Sequence, residues 1–529
     1  MRKQLFKILS AVLLSGFVAT SCNKFLDVNT NPNASSTTSP DLVLNQAIVY
    51  TGSMVNTMNT YGMQVGGYGA NAGGYGGFGI VWTYGYSTGD FTGIWSSSYD
   101  ILEDFQYIIN STVGNSYYDY FNAAAKIMKV YNFERLVDWY NNVPYSEALN
   151  ASNTTPAYDD AATIYVDLAR TLDSAITTIN DASGALALTS GTDPLFSGDM
   201  TSWIKFANTL KLRLIVRASS IVTFDNTTFT SDGFLTDDAI ENPTYSKATG
   251  KANPMFSGWV ADYTGAAGNR AYIPAMYTYG YYDGNKLTDT ARGKAIYFKF
   301  PNTPLNQLGV AGTTSNYAPD ISGAWYCYSS SNSGSPTKTS LGDNIGVMKG
   351  YDMGMVLMTA AESYFLQAEA QMRGIISGDD ATSFNSGIEA SFHYLYELAS
   401  GTVATGYDYE TDAATYITTN TSSYLVNYSL ATTTAQKLEA IITQKYIALN
   451  MINSDEGWNE YRRTGYPASG TTAVNNPYGS FASTQSTATR SDHLPTRICY
   501  PTTEYALNKY NVPDATTISP FTSLIFWAK

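Results

Sequence analysis

Apolar residues along much of this chain recur at the three- and four-residue spacing of amphipathic helices. Ile164, Leu168, Leu172, Ala175 and Ile179 form one stripe, and Asp159 ahead of it is a natural N-cap. Trp203, Phe206, Leu210 and Leu214 form a second. A third runs through Leu357, Ala361, Tyr364, Phe365, Ala368 and Met372 and is closed by Gly374; a fourth takes Leu438, Ile441, Ile442 and Leu449. Trp95 stands with Tyr99, Leu102 and Phe105 at near-helical spacing and reads as core. Each stripe needs a partner helix, so the pattern predicts a mostly α protein. Between the stripes, segments 61–93, 222–348 and 401–434 are rich in Gly, Ser, Thr, Asn and Tyr, with short β-branched or aromatic runs such as Ile296 to Phe300. They predict ordered loops, and loops carried on a rigid scaffold are where binding residues concentrate.

The first residues follow a different pattern. Arg2, Lys3 and Lys7 precede an apolar stretch from Ile8 to Val18, then small Ala19, Thr20 and Ser21, then Cys22. This charged, apolar, small-residue order is that of a bacterial lipoprotein signal. The apolar stretch falls short of the roughly 20 residues a membrane-spanning helix needs. Residues 1–21 are therefore expected to be a signal peptide, Cys22 the lipid-bearing first mature residue, 22–39 a polar tether and 40–529 the main domain. Two or three acyl chains, at about 0.8 kcal/mol per buried CH2, would anchor the protein to a membrane without spanning it.

The formal charge is −14, from 30 basic and 44 acidic residues, which makes nucleic acid and anionic surfaces poor partners. Tyr occurs 43 times, and its apolar ring with a polar edge suits contact with sugars or peptides, although packing is the commoner use of any one tyrosine. Only three cysteines are present, so the fold does not depend on a disulfide framework; Cys327 and Cys499 are read as buried thiols, with pairing left open.

Several catalytic motifs fail on context. Gly85-Tyr86-Ser87-Thr88-Gly89 has the G-x-S-x-G form, yet a nucleophile elbow needs a preceding strand, a following helix and a His base, and the two histidines, His393 and His493, are remote. Gly74, Gly76 and Gly79 match G-x-G-x-x-G, but they lie in a low-complexity run with Tyr68, Tyr75 and Phe78 that reads as an aromatic loop. Two isolated histidines cannot build the usual zinc shell; calcium on carboxylates and carbonyls stays open, and no cofactor is expected. Asp159 with Asp160, and Asp379 with Asp380, read as helix-start and loop residues, not as a glycosidase pair.

Longer phrases carry more information. After Cys22 the chain reads FLDVNTNPN; then come DWYNNVPYSEAL (Asp138 to Leu149), GDMTSWIKFANTLKLRLIVRAS (Gly198 to Ser219), LMTAAESYFLQAEAQMRG (Leu357 to Gly374), ITQKYIALNMINSDEGWNEYRRTGYP (Ile442 to Pro467) and LPTRICYPTTEYALN (Leu494 to Asn508). In this order they resemble the SusD/RagB family of Bacteroidetes outer-membrane lipoproteins, second SusD-like branch, with Asn141 and Asn142 replacing the usual Gly and acid. The phrases describe scaffold: Trp458, Tyr461 and Tyr466 are expected to pack where a long helix turns back, with Arg462 and Arg463 capping carbonyls or pairing with acids.

The resemblance implies tetratricopeptide-like helix pairs in a right-handed superhelix, with an irregular loop-rich part packed on it. It implies a non-enzymatic nutrient-binding role, with glycan or peptide passed to a SusC-like TonB-dependent outer-membrane transporter. Ligand-contacting aromatics are expected in an early loop, at Trp82, Tyr84 and Tyr86, and in the middle segment, at Tyr279, Tyr281, Trp325 and Tyr326. Trp82 leads because it emerges from glycine-rich loop. Two other readings stay open: a peptide-binding or gating lid, and a surface glycoside hydrolase, which needs two carboxylates roughly 5 to 10 Å apart.

Overall fold

Ten helices of eleven or more residues frame the computed structural model, which describes residues 38–311, 323–326 and 344–529. The signal, Cys22, most of the tether and Cys327 lie outside the described residues, and with them the pairing of Cys327; Cys499 is buried. The helices are α1 (Pro40–Val65), α2 (Thr92–Thr112), α3 (Asp119–Tyr140), α4 (Ala161–Asp181), α5 (Met200–Ala218), α6 (Ala360–Met372), α7 (Asp380–Tyr396), α8 (Tyr409–Thr419), α9 (Thr434–Ala448) and α10 (Ser454–Thr464). Each packs on a sequence neighbour, α6 also reaches α5 and α9, and α10 returns against α1.

Local chemistry starts these helices as it should. Asp199, Thr359, Asp379 and Asp408 cap α5, α6, α7 and α8 through their side chains, and Thr433 with Gln436 forms a capping box on α9. The cap of α4 is Asp160 and not Asp159, because Asp160 accepts from the N–H groups of Ala162 and Thr163. Asp159 instead belongs to a two-residue strand (Tyr158–Asp159) and accepts from Tyr145 and Ser146.

Three other expectations change. Leu357 lies in a strand (Met355–Met358), since Thr359 caps the helix only after it. Ile296 ends a short helix (Thr290–Ile296), and residues 297–300 after it form a bend and a turn. Segment 401–434 contains α8, whose apolar stripe is too sparse to see because only Ala413 and Tyr416 are buried. Conversely, α3 shows no stripe because 18 of its 22 residues are buried: a helix wrapped by neighbours has no polar face to create a period.

Among the described residues the strands form three antiparallel pairs. The first joins β1 (Gly69–Asn71) to β5 (Tyr272–Pro274), with Asn71 opposite Tyr272; the second joins β2 (Val143–Pro144) to β3 (Tyr158–Asp159); the third joins β4 (Ala239–Glu241) to β6 (Met355–Met358). The first pair ties the early loop to the middle segment.

A buried ionic network crosses the helical core. Arg213 on α5 holds Glu134 of α3 with bonds of 2.9 and 2.6 Å and reaches Glu362 of α6 at 3.3 Å. Arg217 pairs with Asp138 of α3 and with Glu456 of α10 at 2.6 Å. Arg135 meets Asp455 at 2.5 Å, and Lys445 of α9 meets Glu460 at 2.9 Å. Burial alone would raise the Glu456 carboxyl, but Arg217, Arg213, Arg135 and Lys445 overrule it and hold it well below its ordinary value. Arg463 pairs with Glu369 and Glu460, and Arg462 donates to the carbonyls of Thr496 and Asp138, as their positions in the sequence suggested. The helices close tightly here: a Cβ on Gly62 of α1 would stand 2.1 Å from the Asp455 backbone nitrogen.

Replacing Arg217 by Met leaves Glu134, Asp138 and Glu456 buried without their shared cation, and should cost about 3 to 5 kcal/mol, read as a lowered denaturation midpoint. A second test uses Glu241, which is buried beneath Gly52 of α1, bonded by Tyr245 at 2.9 Å, and pushed up to about 8 by burial. A raised carboxyl stabilises the fold fully below its unfolded value and loses that contribution as pH rises through 8. Thermal stability should therefore fall between pH 5 and 8 by at most about 1.4 kcal/mol per unit from this group, and Glu241→Gln should remove that slope.

Candidate functional site

Of the seven aromatic residues expected to contact ligand, six are spent inside the protein. Tyr84 is fully buried, its hydroxyl accepting from Ser483 N at 3.1 Å. Tyr86 packs on Tyr61 and Phe91. Tyr279 donates to Thr303 Oγ1 at 3.1 Å between Tyr297 and Phe300, and Tyr281 lies against Tyr277 and Tyr446. Trp325 stands edge-on to Trp259, and Tyr326 to Phe256. In this conformation none of the six has a ring face to offer a ligand. Loops poor in aliphatic residues use their aromatic rings as core. Trp325→Ala would accordingly test packing and not binding.

Trp82 is different. The other seven of the eight tryptophans are buried at 5% exposure or less, whereas Trp82 is half-buried on a short helix (Ile80–Thr83). Its ring stacks on Phe78 at 5.2 Å and 16°, and its Nε1–H donates to Asn71 Oδ1 at 3.1 Å. Phe78 in turn meets Tyr272 edge-on at 5.5 Å. The Tyr272 hydroxyl accepts from Gln64 Nε2 at 3.1 Å, and burial pushes it up to about 12, so it stays protonated with its own hydrogen free to donate. Arg270, two positions earlier, is exposed and has no ion pair among the described residues. Glycines 74, 76, 77 and 79 have open space where a side chain would stand, and Tyr75 among them is exposed. An aromatic stack thus adjoins the Tyr272 phenol and an open glycine loop, an arrangement suited to a ring with one apolar face.

Sequence reasoning had Trp82 and noticed the aromatic loop, but missed Asn71 and Tyr272. Neither carries a local signal, since each is placed by the pairing of β1 with β5, 200 residues apart.

The catalytic motifs do not assemble. The Ser87 hydroxyl donates to Asp90 at 2.7 Å, while His493 faces Thr471 O and His393 faces Glu397. The glycines of G-x-G-x-x-G follow a strand paired antiparallel, not one in a βαβ unit. Asp160 and Asp379 are helix caps, and Asp380 pairs with Lys437. A cleft of about 390 Å3 elsewhere holds Asp237, Asp238, Glu389 and Glu397. Two of these have structural partners, with Asp238 accepting from Ala360 N at 2.7 Å and Glu397 facing His393 at 3.3 Å. Among the described residues no group of three or more His, Cys, Asp or Glu is arranged to hold a metal, and no helix is long and apolar enough to cross a membrane.

A family model described as "Starch-binding associating with outer membrane" matches residues 32–288, and one described as "Susd and RagB outer membrane lipoprotein" matches residues 327–519. The chain belongs to the SusD/RagB family. No curated protein matches it in sequence. Solved SusD homologues share its fold. One from Bacteroides fragilis is 22% identical with a TM-score of 0.65, over 93% of this chain and 100% of that one. A SusD-like protein from Bacteroides thetaiotaomicron is 22% identical with a TM-score of 0.66, over 93% and 99%. A chitin-binding SusD homologue from Flavobacterium johnsoniae is 20% identical with a TM-score of 0.64, over 92% and 98%. As in other SusD-like proteins, the helices make a tetratricopeptide-like scaffold.

If Trp82 is the one accessible indole, iodide should quench a single tryptophan component of the folded protein. Trp82→Phe should abolish most of that quenching and leave the buried emission intact.

Proposed function

We propose that this SusD/RagB protein is a lipid-anchored, cell-surface receptor that captures an oligosaccharide on the Trp82 platform and delivers it to a SusC-like TonB-dependent transporter. The observation that carries the reading is the placement of Trp82, the one tryptophan of eight not fully buried, stacked on Phe78, which in turn meets Tyr272. A pyranose laid on the indole buries its C–H face, while the Tyr272 hydroxyl is available to ring hydroxyls. The family description as starch-binding and the chitin-binding relative support a glycan over other nutrients. Attachment through Cys22 and exposure on the outer face belong to the same proposal, which rests there on the signal pattern and on the description of the family as outer-membrane lipoproteins. Binding proceeds without bond cleavage, in keeping with the failure of Ser87 and the capping aspartates to form a reactive set.

The test is calorimetry on protein lacking residues 1–22 against polysaccharides, including chitin and starch oligosaccharides, and peptides. A glycan should bind, Trp82→Ala should weaken it at least about ten-fold, and no product should be released. Binding of peptides alone would replace the glycan reading with that of a peptide lid, and release of shorter sugars would make the protein a hydrolase.

A further inference from the structure

The short helix that carries Trp82 cannot set the ring's orientation. Four residues do not make a self-sustaining helix, and none of the four is fully buried. Two contacts orient the indole instead: the stack on Phe78 and the bond from Nε1–H to Asn71. Asn71 ends β1 and is itself buried. The oxygen that accepts from Trp82 also accepts from Gly309 N at 2.9 Å, and the amide nitrogen donates to Val310 O at 2.8 Å. Its main-chain carbonyl accepts from Asn306 Nδ2 at 2.8 Å. One asparagine therefore ties the early loop, the strand pair and segment 306–310 to a single indole. The same two segments are braced from behind by residues 485–487: Gln485 Nε2 donates to Gly309 O at 2.6 Å and Thr487 N to Thr83 O at 3.0 Å.

We propose that Asn71 is the positioning residue of the ligand platform, an inference that rests on Trp82 being the platform as read above. Asn71 fixes the tilt of the indole and occupies its only polar atom, so the ring presents carbon surface alone. Ligand is then selected at this ring by an apolar C–H face, and hydroxyl recognition falls to other groups, such as the Tyr272 hydroxyl beside Phe78. Affinity depends on Asn71 although it does not touch the ligand.

The test compares wild type, Asn71→Ala, Asn71→Asp, Trp82→Phe, Trp82→Ala and the Asn71→Ala/Trp82→Phe double variant. Each is titrated with chitohexaose, and indole N–H exchange is followed by nitrogen-15 NMR without ligand. One indole signal, the one deleted by Trp82→Phe, should be protected in wild type and exchange faster in Asn71→Ala. Asn71→Ala and Trp82→Phe should each bind about 3- to 10-fold more weakly, the loss expected of one hydrogen bond. The double variant should bind no more weakly than either single one, because both remove the same contact. Asn71→Asp keeps the oxygen that accepts from Trp82 and, with its buried carboxyl protonated, a donor toward Val310 O; it should retain protection, which separates positioning from a general loss of folding. Unchanged exchange in Asn71→Ala, or additive losses in the double variant, overturns the inference. Full binding by Trp82→Ala overturns it together with the platform reading, whereas loss of binding by Trp82→Ala with none by Asn71→Ala overturns this inference alone. If wild type ignores chitohexaose, the same variants are titrated with the glycan that calorimetry finds to bind, and unchanged exchange in Asn71→Ala still overturns the inference.

Discussion

Five helices of this protein are held in register by charges that none of them could bury alone. Glu134, Arg135 and Asp138 on α3, Arg213 and Arg217 on α5, Glu362 and Glu369 on α6, Lys445 on α9, and Asp455, Glu456, Glu460 and Arg463 on α10 meet away from water. Taking an ion out of water costs several kcal/mol, which an interior partner offsets only when the geometry is close. A helix that slid by one turn would leave several charges unpaired at once. Such a network adds little net stability compared with a greasy core, but it penalises other arrangements heavily. It also makes a firm base for long irregular excursions.

Those excursions are packed by tyrosine. Where regular strands are short, backbone carbonyls need donors, and tyrosine brings one at the tip of an apolar ring. Tyr131 donates to Leu357 O, Tyr68 to Tyr446 O, Tyr277 to Ala468 O and Tyr500 to Asn142 O. This explains why a chain so rich in tyrosine leaves few at its candidate site. The rings that composition suggested for sugar contact are largely the core of the loops, and the half-buried Trp82 with its Phe78 backing is the exception.

The scaffold and the site were legible to different degrees. The phrases that carried the family resemblance contain Asp138, Arg213, Arg217, Glu362, Glu369, Lys445, Asp455, Glu456, Glu460 and Arg463, most of the ionic network. Residues whose replacement leaves a buried charge unpaired are tightly constrained, and they lie on helices where spacing in sequence is spacing in space. Tyr84, Tyr86, Tyr279, Tyr281, Trp325 and Tyr326 had no such guide. An aromatic residue in a polar loop has the same sequence context whether it faces solvent or core.

By itself, the order of residues determined most of the helical stripes and the family. Both depend on chemistry within a few turns of chain. Tertiary structure alone decided which aromatic ring stays accessible, because that depends on pairing Asn71 with Tyr272 and bringing Gly309 and Val310 onto Asn71. Those contacts join segments some 200 to 240 residues apart, and no local pattern can specify an interaction whose partners are chosen by the folding of everything between them.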